Sequence, residues 1–232
     1  MKLELLEKLE AARAAKRQVC LVRLLDQGGA QALVVDGVQA DGEPLPQDVL
    51  EAAQKALRED RSPSVDTSAG RVFLQVFNPP LRMIVVGAVH ITQSLAPMAE
   101  LAGYDVTVVD PRRAFASDAR FPNTKVTQDW PDEALEQLAP DRRTAVVTLT
   151  HDPKLDDPAL DVALRSDAFY IAALGSKKTH AGRVERLKAL GHGENAIARI
   201  HGPAGIDIRA VSPAEIAISV LAECTKVLRE GR

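Results

Sequence analysis

The sequence predicts an α/β protein: a C-terminal Rossmann-like, doubly wound parallel sheet preceded by a small α+β domain. Three observations lead there. From about residue 81 onward, short apolar runs alternate with helical segments, the pattern of βα crossovers in a parallel sheet. Before that point an amphipathic helix leads into β-rich runs joined by a hairpin signal. Between the two patterns stands Asn78-Pro79-Pro80, which continues neither a helix nor a strand ladder. The expected division is residues 1–77, a linker at 78–80, and residues 81–232. A length of 232 residues suits one large domain or two modest ones.

In the first part, Leu5, Leu6, Leu9 and Ala12 recur at helical spacing and predict a helix over Leu3 to Arg17. Val19 to Leu25 is β-rich, Asp26-Gln27-Gly28-Gly29 is a turn signal, and Gln31 to Val35 is the returning strand. A polar stretch, Asp41 to Pro46, precedes a helix from about Gln47 to Arg58. Arg71 to Phe77 alternates again, with Val72, Leu74 and Val76 on one face and Phe73 and Phe77 on the other. The expectation is two helices and three strands.

In the second part, Met83 to Val86, Asp105 to Val109, Lys125 to Thr127, Thr144 to Leu149 and Ala168 to Leu174 read as five strands. Continuous apolar runs such as the first are expected where both faces of a sheet are covered. The helices between them run from about His90 to Ala102 (with Pro97 as a kink), from Pro131 to Leu138, and from Lys177 to Leu190. Asp157-Pro158 reads as the N-cap and first residue of another. Ser212-Pro213-Ala214-Glu215 is a capping box opening a last helix to about Arg229.

Composition narrows the function. A net charge of −3 lacks the basic stripe that nucleic acid requires, so an anionic ligand must be met by a local cluster. Aromatics are only 3%, so the core is expected to be aliphatic. Met1 to Glu10 alternates Leu with Glu and Lys without the apolar stretch of a signal peptide, and no segment approaches the roughly 20 apolar residues of a membrane span. A cytoplasmic location is expected. Cys20 and Cys224, each in an apolar segment, make neither a disulfide framework nor a zinc site and read as buried thiols.

Ligands of such sheets bind beyond the carboxyl ends of the strands, near the reversal of strand order. The first strand runs into Gly87-Ala88-Val89-His90-Ile91-Thr92, where a dinucleotide fingerprint would stand; only its first glycine is present. Val89 replaces the glycine that lets a backbone approach a pyrophosphate, and Thr92 the one that allows close helix packing. His90 falls in the first helical turn, to meet a ligand or to pack. Asp110 follows Gly87 by the spacing of a ribose-holding carboxylate, whereas Arg112 and Arg113 suit a phosphate; a solvated turn is the plainer alternative. Thr150-His151-Asp152-Pro153-Lys154 brings polar groups to a strand end where a core role is poor. Adjacent residues of an extended chain point apart, so His151 and Asp152 read as ligand contacts or loop shapers rather than an acid–base pair. The sharpest signal is Gly175-Ser176-Lys177-Lys178-Thr179-His180, followed by Arg183. Two lysines in a first helical turn oppose the helix dipole, which makes sense if an anion is held there by helix N–H groups and the Ser176 hydroxyl. Extended lysines facing water are the other reading. His201-Gly202-Pro203-Ala204-Gly205-Ile206-Asp207 adds a Gly-rich connection able to close over the same crevice.

These loops resemble the XdhC/CoxI accessory proteins of molybdenum hydroxylases. The stretches VVGAVHITQSLAPMAELAGYDVTVVDPR, THDPKLDDPAL, FYIAALGSKKTHAGRVERL and HGPAGIDIRAVSPAEIAISVLAE carry the resemblance, in the family's order, over about Leu81 to Glu223. The family more often has G-A-G-H where this chain has Val89 and His90, and its longer members carry a Gly-Gly-Cys turn that Gln27 to Leu50 lacks. The resemblance implies a chaperone, not an enzyme, that binds molybdenum cofactor (molybdopterin, alone or in its nucleotide form). It implies that the chaperone keeps the cofactor while its terminal sulfur is installed and delivers it to a hydroxylase apoprotein of the xanthine dehydrogenase, aldehyde oxidoreductase or carbon monoxide dehydrogenase type. A cysteine desulfurase as a second partner and a homodimer are further expectations. The competing readings are an NAD(P)-dependent oxidoreductase, supported by the fold and Asp110, and a scaffold that touches its client without holding cofactor.

The Val89 side chain generates a first prediction. NAD and NADP should bind weakly or not at all in calorimetric titration, and Val89→Gly should improve dinucleotide affinity if the rest of the crevice is intact. Low-micromolar binding of either dinucleotide by the native chain would restore the oxidoreductase reading.

Overall fold

The computed structural model describes residues 3–26, 28–117 and 119–230. The chain divides into two compact units, the first ending at Pro79 and the second beginning at Pro80.

The first unit contains α1 (Leu3–Ala14), β1 (Val19–Leu24), β2 (Ala30–Val35), β3 (Val38–Gly42), α2 (Gln47–Glu59), β4 (Ser64–Thr67) and β5 (Gly70–Phe77). Its strands form one antiparallel sheet in the order β3-β2-β1-β5-β4. Strand side chains alternate between faces, and here each face has its own helix. Val19, Leu21, Leu33 and Val35 pack on Leu5, Leu9 and Ala12 of α1. Cys20, Val22, Leu24, Val34, Val72 and Leu74 pack on Val49, Ala53, Ala56 and Leu57 of α2. Central β1 is therefore apolar along nearly its whole length. The sheet has five strands where the sequence predicts three, because β3 (VQADG) and β4 (SVDT) alternate exposed and half-buried residues and carry little apolar signal. Asp36 and Gly37, both with positive φ, make the β2–β3 turn that brings the first of them back. Helix α1 stops short of the predicted Arg17, where Lys16 adopts a left-handed conformation. Gln27, in the predicted β1–β2 turn, lies outside the described residues.

The second unit contains β6 (Leu81–Val86), α3 (His90–Leu101), β7 (Tyr104–Val109), β8 (Lys125–Thr127), α4 (Pro131–Leu138), β9 (Thr144–Thr148), α5 (Pro153–Arg165), β10 (Tyr170–Ala173), α6 (Lys177–Ala189), α7 (Glu194–Ile197), β11 (Ile200–His201) and α8 (Pro213–Glu230). All six strands are parallel, in the order β11-β10-β9-β6-β7-β8, which is the dinucleotide-fold order with its reversal between β6 and β9. One face of the sheet packs Met83, Val85, Val106, Val147 and Ala172 on α3 and α8. The other packs Ile84, Val86, Val146, Ile171 and Ala173 on α4, α5, α6 and α7. Both faces are covered, as the apolar runs require.

Two sequence expectations are corrected. A sixth strand, β11, extends the sheet; at two residues it is too short to show a period. Helix α5 begins at Pro153, not Pro158. Asp152 is its N-cap, accepting the Lys154 N–H at 3.0 Å, with Pro153 in the first turn. Asp-Pro occurs twice within seven residues, and the second pair lies inside the helix, where Asp157 binds Arg186 instead of capping. The predicted capping box of α8 forms: Glu215 accepts the N–H groups of Val211 and Ser212 at 2.7 and 2.8 Å, and Ser212 Oγ accepts that of Glu215.

No described helix is long and apolar enough to cross a membrane. Cys20 and Cys224 are free and buried, and burial pushes both thiols up to about 12. At about pH 8, where an ordinary thiol is partly ionised, neither should react with a thiol-specific reagent in the native protein, and both should react on unfolding. Rapid native labelling of either cysteine would contradict this packing.

Candidate functional site at the reversal of strand order

Four loops meet at the carboxyl ends of β6, β7, β9 and β10. The β6–α3 turn starts at Gly87, with φ +112°; a Cβ there would lie 2.7 Å from the Thr150 methyl, so only glycine lets the β6 and β9 loops come this close. Thr92, fully buried at the place of a fingerprint glycine, donates its hydroxyl to the Gly87 carbonyl and so fits a tight turn without being small. Val89 caps α3 with extended backbone and packs half-buried against the core. His90, exposed at the first residue of α3, places Nδ1 3.1 Å from Gln93 Oε1.

Asp110 is a brace. Its carboxylate, with no exposed surface, accepts the Ala88 N–H at 2.8 Å and the Arg112 N–H at 3.0 Å. It also accepts Nε and Nη2 of Arg112 at 2.9 and 2.7 Å. Burial pushes this carboxyl up, but the Arg112 and backbone hydrogen bonds outweigh it and hold the group below the usual carboxylate range. The same pairing raises Arg112, as do, more weakly, the charges of Asp152 and Asp156, which places that guanidinium at the mouth of the β9 loop. Asp110 therefore shapes the first turn with every acceptor direction engaged, which differs from a carboxylate free to hold a ribose. Arg112 lies over the Phe115 ring at 4.5 Å. Arg120, which no sequence signal singles out, clamps the same turn through the Ala88 carbonyl at 2.7 Å and Gln93 at 3.0 Å.

The β9–α5 loop is organised by Asp156. Its Oδ1 accepts the Thr150 hydroxyl at 2.7 Å and the Thr150 N–H at 3.3 Å, while Thr150 Oγ1 in turn accepts the Asp152 N–H at 3.0 Å. His151 is exposed in a left-handed conformation (φ 60°), so the loop is not extended there, and Asp152 is committed to its cap. Asp156 and Arg183, each 2% exposed, face one another at 3.8 Å, and Arg183 Nη2 donates to the Leu174 carbonyl at 2.8 Å. The β9 and β10 loops are thereby joined at the carboxyl edge of the sheet.

Beyond β10, Gly175 (φ +144°) turns the chain into α6, and Ser176 Oγ accepts the Thr179 N–H at 3.1 Å. The Ser176 hydroxyl oxygen is thus the helix cap, and it lies 3.0 Å from Thr179 Oγ1. Lys177 and Lys178 are exposed and meet no carboxylate among the described residues. His180 turns the other way, against Gly202, where any Cβ would overlap the imidazole ring. The β11–α8 connection is anchored in turn by Glu223, which accepts Tyr170 Oη at 2.6 Å and the Gly205 N–H at 2.8 Å and lies 3.3 Å from His201 Nδ1. Among the described residues no three His, Cys, Asp or Glu side chains converge as a metal site.

Of the predicted residues, Gly87, Asp110, Arg112, Thr150 and Asp152 lie in one connected network around the β6/β9 junction. Gly175, Ser176 and Lys177 reach it through the Leu174–Arg183–Asp156 link. His90 and His151 are exposed on its loops, Val89 packs inward, and His180 joins the β11 loop. Asp156, Arg120 and Glu223 were missed; the displaced start of α5 hid the first, and the others become visible only once distant segments pack. Asp110→Asn should cost about 2–3 kcal/mol of stability, the worth of charge-assisted hydrogen bonds. Because the folded carboxyl is held low, this contribution is complete above about pH 4 and disappears as pH falls through the folded value. Thermal unfolding across pH measures it, and an unchanged melting temperature would remove Asp110 as the brace.

Comparison with known proteins matches residues 83–224 to the sequence model of the XdhC Rossmann domain. Three curated relatives align with the chain. An uncharacterised Escherichia coli protein, YqeB, is 32% identical over 67% of this chain and 29% of its own length. The Escherichia coli molybdenum cofactor insertion chaperone PaoD is 32% identical over 65% of this chain and 41% of its own. A Bacillus subtilis protein named as a probable xanthine dehydrogenase subunit is 31% identical over 66% and 44%. The alignments thus span less than half the length of each relative. A crystal structure of a Bacillus halodurans xanthine dehydrogenase shares the fold over 99% of this chain and 68% of its own, with a TM-score of 0.74 at 24% identity. With more than half of its residues matched to that domain, the chain belongs to the XdhC Rossmann domain family.

Proposed function

We propose that this protein binds molybdenum cofactor in the crevice at the β6/β9 junction and delivers it to a molybdenum hydroxylase apoprotein, without turning over a substrate of its own. The observation that carries the reading is the cationic start of α6 beside that crevice, on a chain whose net charge is −3. A pterin bearing a phosphate needs an anion hold next to a polar cleft. The first-turn N–H groups of α6, Lys177 and Lys178 supply the hold. Thr150, His151 and His90 line the neighbouring loops with hydrogen-bonding groups, and Gly87 and Gly175 keep the backbone close. The name of the relative PaoD supports the choice of cargo. The reading keeps a cysteine desulfurase as a second partner, a cytoplasmic setting and a homodimer as parts of the proposal.

The strand order favours one rival, an NAD(P)-dependent oxidoreductase. Against it stand Val89 at the pyrophosphate position and the full engagement of Asp110 by Arg112 and Ala88.

The test mixes cofactor-loaded protein with a cofactor-free hydroxylase from the same host and follows recovery of hydroxylase activity, with equal free cofactor as the control. Faster or more complete activation through the protein is expected. Lys177→Ala should weaken cofactor retention about two- to fivefold, the worth of one exposed charge at a helix end. Equal activation with and without the protein at all concentrations would return the scaffold reading to first place.

A further inference from the structure

We propose that the buried guanidinium of Arg183, acting from beneath the Leu174–Ser176 turn, is the charge that selects a phosphate group at the start of α6. The inference rests on the reading of that helix start as an anion seat and names the residue that gives it strength. Helical side chains lean toward the N-terminus of their helix, so Arg183 reaches back under the turn that opens α6, where Nη2 donates to the Leu174 carbonyl. The side chain is 2% exposed, and both Nε and Nη1 are closed to solvent and without a hydrogen-bond partner. Buried arginines are ordinarily matched by a carboxylate at hydrogen-bond distance. The carboxylate that faces this one, Asp156, stands 3.8 Å away with Oδ2 itself unpartnered, because its other oxygen is spent on Thr150.

The remaining ionisable neighbours do not cancel the charge. Asp157 is taken by Arg186 in a two-point ion pair, which brings a further cation to the same side. His180, one turn earlier on α6, is shifted toward its neutral form first by burial and then by Arg183 itself. Asp156 offsets part of the charge, but only across 3.8 Å and without a hydrogen bond. An arginine remains charged in all ordinary settings. The outcome is a cation under the α6 turn whose field crosses protein rather than water. Lys177 and Lys178 project into solvent, where salt screens them. The two kinds of charge have separable roles: the lysines gather anions, and Arg183 with the α6 N–H groups favours the compact, doubly charged phosphate over weaker anions.

The experiment titrates the full-length chain with inorganic phosphate, followed by calorimetry and by the phosphorus NMR line width, for the native protein and three variants. Arg183→Gln should weaken phosphate about tenfold or more, and the loss should persist in about 1 M sodium chloride, where the Debye length is about 3 Å. The smaller loss in Lys177→Ala should vanish in the same salt. Asp156→Asn, which removes the opposing charge, should strengthen phosphate binding several-fold even if the fold loosens. A purely structural Arg183 would give a lower melting temperature with native phosphate affinity, and that result overturns the proposal. If Arg183→Gln does not fold, Asp156→Asn decides alone, unchanged or weaker binding counting against it. Absence of phosphate binding by the native chain would sink both this inference and the anion seat at α6. Cofactor delivery without phosphate selectivity would sink this inference only.

Discussion

Strand β6 is hydrogen-bonded in parallel to β7 on one side and to β9 on the other, and the chain leaves its end in the direction of α3. Connections on the two sides of β6 pass over opposite faces of the sheet, so the crossovers part at the junction between β6 and β9. The sheet is dry on both faces, which leaves its carboxyl edge as the place where polar side chains from distant segments can collect. Such groups are stable there only when their hydrogen bonds are satisfied. Asp110 meets this demand in full by binding Ala88 and Arg112, whereas Asp156 binds the Thr150 backbone and hydroxyl through Oδ1 alone. The loops at this edge are therefore held by buried carboxylates as well as by apolar packing of Ala88, Val89, Leu149 and Leu174.

This arrangement separates residues that shape the site from residues that face outward from it. Thr92, Asp110, Asp152 and Ser176 spend their oxygens on turns and caps. His90, His151, Lys177 and Lys178 remain exposed on the loops so ordered. A site whose shaping groups are already hydrogen-bonded loses little freedom when its exposed groups are used. Asp110, at the spacing of a ribose carboxylate in dinucleotide folds, is here an internal strut bound to Ala88 and Arg112.

Much of this was legible in the sequence wherever a physical period or a cap was at work. The apolar runs of β6, β7 and β9 could be read because both faces of the sheet are buried, and the box at Ser212 and Glu215 because its spacing is fixed by one helical turn. Strands β3 and β4 were invisible, since edge strands owe their place to backbone pairing and not to apolar side chains. The repeated Asp-Pro moved the start of α5 and with it concealed Asp156. Loops rich in polar residues marked where the site is, but not which of those residues point inward. Asp110 and Arg112 are two positions apart and could have been paired by inspection, whereas Arg183 with Asp156, and Glu223 with Tyr170 and Gly205, meet only after long loops close. Residue type at a strand end announces a site; the division of labour within it is a property of packing.

The parallel sheet ends in β8, three residues long, and in β11, two residues long. A sheet edge with a long open ladder invites another chain to add a strand, with aggregation or strand exchange as the outcome. Here an incoming strand would find two or three residues to pair with, and on β8 it would meet Lys125, already held at 2.8 Å by Asp105 of β7. Lateral growth of the sheet is thus discouraged on both sides. The helical faces and the carboxyl edge are left as the larger surfaces of this unit, and they offer side chains rather than an open ladder. Contacts made through side chains add no strand to the sheet, so its hydrogen-bond ladder stays the same size whether or not they form.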